Sequence, residues 1–280
     1  MDHRMKALYG MKWNPFSPGV PTEALYVEPR IDSFRRRIQQ LYREGGFAII
    51  TGEPGTGKSA ALRIVAEDLS QQRDVMVGTI SRPQASLADF YRELGHLHTV
   101  PMRSLNRWNS AESLRKLWMT HIEESRTRPV LIIDEAQELK PPVLSELRLL
   151  ASAKLDSVNL LTVILAGDMR LVDRLRTEEF LPLASRMRVR LMLDRADPET
   201  LEACLRHALM EAGTPKLIED EVIATMADHA CGNLRLLMNM GNELLAAAVE
   251  AEKRQIDAKL FFDVYPPTPN PPRNKALRRR

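Results

Sequence analysis

The octapeptide Gly52-Glu53-Pro54-Gly55-Thr56-Gly57-Lys58-Ser59 has the form G-x-x-x-x-G-K-[ST], between an apolar run, Phe47-Ala48-Ile49-Ile50, and a helical stretch beginning near Lys58. A strand that turns through glycines directly into a helix presents successive backbone N–H groups to an anion at the positive end of the helix dipole. That requirement leaves few folds open, because the strand must be buried and must feed a helix packed against it. In such a loop the backbone from Gly52 to Ala60 wraps the phosphates, Lys58 reaches the terminal ones, and the Ser59 hydroxyl faces a divalent cation. ATP and Mg2+ are the cofactors this implies.

The rest of the chain has the alternation such a loop needs. Apolar positions Ile31, Phe34, Ile38 and Leu41 recur at helical spacing, and Gly45-Gly46 ends that helix ahead of the strand at 47–50. After Lys58 the pattern predicts strands at 75–80, 130–133, 160–165 and 187–193, with helices at 87–97, 111–124 and 143–150. Strands alternating with helices give a mainly parallel sheet covered on both faces. Beyond Asp194 only helical patterns follow, at 201–210, 222–230, 234–249 and 258–264. The expected fold is therefore α/β, with a small all-helical domain after it. Predicted boundaries are a loop-like N-terminal arm at 1–30 with Trp13, Phe16 and Tyr26, an α/β domain at 31–194, a helical domain at 195–265, and a Pro-rich basic tail at 266–280.

Composition narrows the function classes. The chain is 44% hydrophobic and 28% charged, which is globular composition. Its only two cysteines, Cys204 and Cys231, exclude a disulfide scaffold or a cysteine-rich metal centre. No stretch approaches the ~20 apolar residues of a membrane span, and the N-terminus lacks a signal peptide's apolar core, so the expectation is a cytoplasmic protein with no membrane partner. The net charge is +3, while residues 273–280 hold five basic side chains and no acid, so the folded body is close to neutral. A basic tail suits either nucleic-acid phosphates or plain solvation.

Further residues complete the site. Val130-Leu131-Ile132-Ile133 runs into Asp134-Glu135, where Asp134 would hold Mg2+ and Glu135 would polarise the attacking water. The strand at 160–165 leads to Asp168, a polar group beside the expected γ-phosphate. Gly232-Asn233-Leu234-Arg235 places an arginine just inside a helix start. Arg186, Arg188 and Arg190 alternate with Met187, Val189 and Leu191, so the arginines share a strand face. These positions resemble the sensor 1, sensor 2 and trans arginine-finger positions of AAA+ ATPases, with Arg186 preferred over Arg188 as the finger. A solvated strand face or a nucleic-acid patch is the plainer reading of the trio.

Over roughly residues 7–250 the chain is similar to the ExeA family of AAA+ ATPases, which has relatives among the transposition ATPases TniB and TnsC. The resemblance is carried by Tyr9-Gly10, Asn14-Pro15-Phe16, the loop at 52–59, Asp134-Glu135-Ala136-Gln137-Glu138-Leu139, Leu147-Arg148-Leu149-Leu150, Leu165-Ala166-Gly167 and the segment 232–235. Departures fall at Asp168-Met169, Ala151-Ser152 and Leu234. Secretion members of the family add a membrane helix and a wall-binding module, which this sequence does not show. The resemblance therefore implies an AAA+ P-loop domain with a helical lid. It implies an Mg-dependent ATPase that forms a homo-oligomeric ring or filament on double-stranded DNA and selects or delivers target DNA to a transposase or integrase-type partner. Arg82, Arg103 and Arg107, with Trp108, are the DNA-contact candidates, against a solvated loop. Two further readings stay open: a protein-binding switch in secretion or signalling without DNA, and a helicase-loader or initiator-like ATPase.

Overall fold

A computed structural model describes residues 2–80, 83–100, 107–153 and 157–266. The chain divides into two compact units, residues 21–196 and residues 1–20 together with those from 197 onward. The N-terminal helix α1 (Asp2–Tyr9) belongs to the second of these. The first contains α2 (Pro29–Glu44), β1 (Gly46–Gly52), α3 (Lys58–Ser70), β2 (Val75–Ile80), α4 (Leu87–Leu97), α5 (Arg107–Thr120), β3 (Arg128–Ile133) and α6 (Pro141–Ala151). A two-residue antiparallel pair follows, β4 (Ser152–Ala153) with β5 (Val158–Asn159), then β6 (Thr162–Gly167), α7 (Met169–Leu175), α8 (Leu181–Ala184) and β7 (Met187–Leu193).

The main sheet has the order β2-β3-β6-β1-β7, and every pairing in it is parallel. Because side chains alternate along a strand, each central strand feeds two cores. Phe47, Leu131, Ile133, Val163 and Leu165 pack with Phe90, Leu94, Leu114, Trp118 and Leu147. On the opposite face Ala48, Ile50, Ile132, Ile164 and Ala166 meet Phe34, Ile38, Leu62 and Val65. The continuous apolar reading of β1 follows, since all seven of its residues are buried. Edge strand β7 differs. Val189, Leu191 and Leu193 join the second core, whereas Arg188, Arg190 and Met192 stand exposed.

Residues 2–9 were expected to be loop-like and are helical, because the prolines begin only at Pro15 and Gly10, at φ 66°, ends the helix. The arm packs within its own unit. Lys12 N–H donates to Ala212 O at 2.9 Å, Tyr9 Oη to Lys253 O at 2.7 Å, and Asn14 Nδ2 to Asn242 Oδ1 at 2.8 Å. Tyr26 belongs instead to the sheet unit. The four further helices of this unit are α9 (Pro198–Glu211), α10 (Asp220–His229), α11 (Leu234–Glu250) and α12 (Ala258–Val264). Asp197, Asn233 and Asp257 cap α9, α11 and α12 by accepting from Thr200, Leu236 and Leu260 N–H. Cys204 and Cys231 form no disulfide. Among the described residues no helix is long and apolar enough to cross a membrane.

Two buried polar features affect the stability of the sheet unit. Glu146 on α6 accepts from Tyr91 Oη on α4 and from Arg107 on α5, joining three helices around a carboxylate that is 2% exposed. Tyr91→Phe leaves that carboxylate short of a donor, and the expected cost is about 1–3 kcal/mol in a urea melt. His98, at the end of α4, lies edge-on to Trp118 with ring centroids 5.4 Å apart, and neither ring nitrogen has a hydrogen-bond partner. Burial, and secondarily the nearby His121, pushes its pKa from 6.5 down to about 4. Between those values the unfolded chain holds the extra proton, so stability falls as pH drops through the window. His98→Leu should flatten the pH dependence of stability between pH 6.5 and 4 relative to the parent, by at most about 1.4 kcal/mol per pH unit. Urea melts at three pH values measure the difference.

Candidate nucleotide site

β1 ends at Gly52 and α3 begins at Lys58, so the phosphate loop bridges the C-terminal edge of the sheet. Gly55 and Gly57 adopt φ 87° and 98°, a backbone region that L side chains avoid, and this curls the loop. Gly57 is the N-cap of α3, and no side chain caps the helix there, so its first N–H groups face an incoming anion. Lys58, 7% exposed, donates through Nζ to Gly52 O and Glu53 O, at 2.9 Å each. Thr56 Oγ1 donates to Glu53 O at 2.9 Å, and the Glu53 carboxylate pairs with Arg195 at 2.8 Å. Pro54 lies within this turn, and Ala60 lies in the first turn of α3.

Ser59 Oγ donates to Asp134 Oδ2 at 2.8 Å, which joins the loop to the end of β3. A hydroxyl and a carboxylate oxygen meeting at one point form a donor set of the hard-oxygen type that Mg2+ prefers. The cradle of N–H groups, the lysine and this oxygen pair fit a nucleoside triphosphate with its cation. Glu135 follows with φ 50° and ψ 40°, and its exposed side chain accepts from Gln137 Nε2.

Asp168 lies at the N-cap of α7, where its side chain accepts from Arg170 N–H at 2.9 Å and pairs with the Arg170 guanidinium at 2.8 Å. Its burial disfavours the charge, but the Arg170 side-chain and backbone hydrogen bonds, with the charges of Arg170 and Lys58, hold the carboxyl below its ordinary range. Lys58, Ser59, Asp134, Glu135 and Asp168 thus gather on one sheet edge.

Within the sheet unit, Arg107, Arg186, Arg188 and Arg190 have partners other than that cluster. Arg186 precedes β7 rather than lying within it, and Nη1 donates to Ser152 Oγ at 3.4 Å. Arg188 and Arg190 share the exposed face of β7, Arg188 paired with Glu44 at 2.6 Å and Arg190 donating to Ala184 O at 3.1 Å. Arg235 is exposed on the first turn of α11, in the other unit. Arg107 holds Glu146 while remaining half exposed, and the neighbouring Trp108 is 77% exposed. Arg82, Arg103 and the basic tail lie outside the described residues. Gln137 and Arg170 were not anticipated. The capping rule applied to Asp168 ahead of Met169-Arg170-Leu171-Val172 would have revealed α7 and hence Arg170.

Residues 40–175 match the family described as AAA domain. The chain is 28% identical over 261 residues to general secretion pathway protein A of Aeromonas hydrophila, a match covering 92% of this chain and 47% of that protein. The chain thus spans about half the length of that relative. Among solved structures it is similar to Cdc6p from Pyrobaculum aerophilum, at TM-score 0.68 and 18% identity over 86% of this chain and 67% of that one. Aeropyrum pernix ORC1 in complex with DNA matches at TM-score 0.68 and 17% identity, covering 90% and 68%. The parallel sheet flanked by helices is the AAA+ P-loop fold, and these matches support an AAA+ ATPase in general terms.

Proposed function

We propose that this chain is an AAA+ ATPase of the ExeA family that hydrolyses ATP in the presence of Mg2+ and uses the cycle to assemble on and leave double-stranded DNA. The observation that carries the hydrolytic reading is the 2.8 Å contact of Ser59 Oγ with Asp134 Oδ2, which brings the phosphate loop and the Asp134-Glu135 pair to one place. The loop N–H groups and Lys58 bind and orient the phosphates, Ser59 and Asp134 would hold Mg2+, and Glu135 accepts a proton from the attacking water. Bound Mg2+ supplies neutralisation of charge on the phosphate oxygens. Asp168 and Arg235 act as the sensors. Arg186, or its competitor Arg188, completes the site of a neighbouring copy in a ring or filament.

In the finer reading, the assembled protein selects or delivers target DNA to a transposase or integrase-type partner, as TniB- and TnsC-like relatives would. Arg82, Arg103 and Arg107 would contact phosphates and give salt-sensitive binding of low sequence selectivity. Likeness to ORC1 solved in complex with DNA supports the DNA part of this reading. A second reading, a protein-binding switch in secretion or signalling without DNA, draws on the similarity to general secretion pathway protein A.

Lys58→Ala should abolish nucleotide binding measured with a fluorescent ATP analogue. Glu135→Gln should retain binding and lose about 10²–10⁴-fold in turnover. Electron microscopy of the parent with duplex DNA, with and without a non-hydrolysable ATP analogue, should show assemblies only when both are present. Assemblies formed with nucleotide alone and unchanged by DNA would favour the switch.

A further inference from the structure

Directly after Glu135 the chain makes a short 3-10 turn, Ala136–Glu138, that carries Gln137 at 7% exposure. Both ends of its carboxamide are engaged. Nε2 donates to Glu135 Oε2, while Oε1 accepts the backbone N–H of Asp168 at 3.2 Å. The main chain of the same turn is also held, because Gln137 O accepts from Arg174 Nη1 at 2.7 Å and Glu138 pairs with Arg170 at 3.0 Å. Side chain, main chain and an ion pair therefore all tie this turn to α7 and its N-cap.

Gly167 provides an independent observation. A Cβ built on it would sit 2.6 Å from Gln137 Oε1 and 2.9 Å from Leu171 Cδ2, closer than such atoms approach, so the carboxamide and Leu171 of α7 together fill the space that a side chain at 167 would need. The last residue of β6 thus leaves room both for the group that holds Glu135 and for the first turn of α7.

We infer that Gln137 is a positioning residue: one carboxamide that fixes the Glu135 carboxylate and couples it to the junction of β6 and α7. This rests on the reading of Glu135 as the base. An exposed glutamate has three free torsions, and a base acts only when its carboxylate is held in place. A neutral donor on one oxygen sets that orientation without adding charge, and it leaves the other oxygen to accept a proton. Because donor and acceptor share one rigid amide plane, displacement of the Asp168 N–H turns the plane and moves Glu135. A change at the start of α7 thus reaches the base through a single side chain.

The test uses Gln137→Glu, which keeps the shape and the acceptor but loses the donor, and Gln137→Met, which loses both. In the nucleotide-free protein, hydrogen exchange at the Asp168 amide should stay protected in Gln137→Glu and become fast in Gln137→Met. In Mg-ATP turnover both variants should lose about tenfold or more in kcat. KM and binding of the fluorescent ATP analogue should stay at the parental values. If Gln137→Met fails to fold, Gln137→Glu carries the test by itself. Parental kcat in Gln137→Glu, beside an inactive Glu135→Gln, overturns the positioning role alone. Parental turnover in Glu135→Gln overturns both that role and the reading of Glu135 as base.

Discussion

The insertion of β6 between β1 and β3 is the constraint on which the site depends. All three strands run parallel, so their C-terminal ends share one edge. The registers Thr51↔Gly167 and Ile133↔Leu165 bring those ends nearly level. With neighbours ~4.8 Å apart, the phosphate loop and the acids are separated by two strand spacings, and β6 ends between them. Ser59, on the first turn of α3, reaches across that gap to Asp134. Gly167 and Asp168 enter the same gap from β6, and ligand crevices in open α/β sheets form at strand ends of this kind. The two-sided apolar cores are what hold the three strands in this order.

Within this frame the charges are arranged to be partnered before any ligand arrives. Lys58 rests on two carbonyl oxygens, which orient an ammonium without neutralising it, so it keeps its charge for an anion. Glu53, an acid inside an anion-binding loop, is countered by Arg195. Asp168 is countered by Arg170, which also reaches Glu138. Glu53 and Asp168 thus each carry their own cation, whereas Asp134 and Glu135 are held by the neutral donors Ser59 and Gln137.

Much of this was legible in the sequence where a single strong periodicity or motif governed the local structure. The strands at 75–80 and 187–193 and the helices at 87–97 and 258–264 have the bounds the pattern predicts, because each carries an unbroken period between turn residues. The phosphate loop could be read because its glycines are required by backbone geometry. The sequence pattern places no helix at α1, which lies in the segment read as a loop-like arm, or at α7, whose capping residue Asp168 is read only as a site residue. The alternation around β7 correctly placed Arg188 and Arg190 on one face, yet Arg186 falls outside the strand. Long-range polar partners left no local trace. Nothing near Arg107 announces Glu146, and nothing near Gln137 announces the Asp168 amide. Such pairings are set by where helices dock, which spacing along the chain does not encode.

The helical unit is built from two pieces of chain, residues 2–20 and those after 197, while the sheet unit is one uninterrupted stretch. A chain made from its N-terminus therefore completes the sheet unit while α1 and the arm still lack their partners. Those partners are separated along the chain by the 176 residues of the sheet unit. The connectivity thus lets the sheet unit fold from one stretch of chain, whereas Tyr9, Lys12 and Asn14 can meet Lys253, Ala212 and Asn242 only once the chain after 197 has been made.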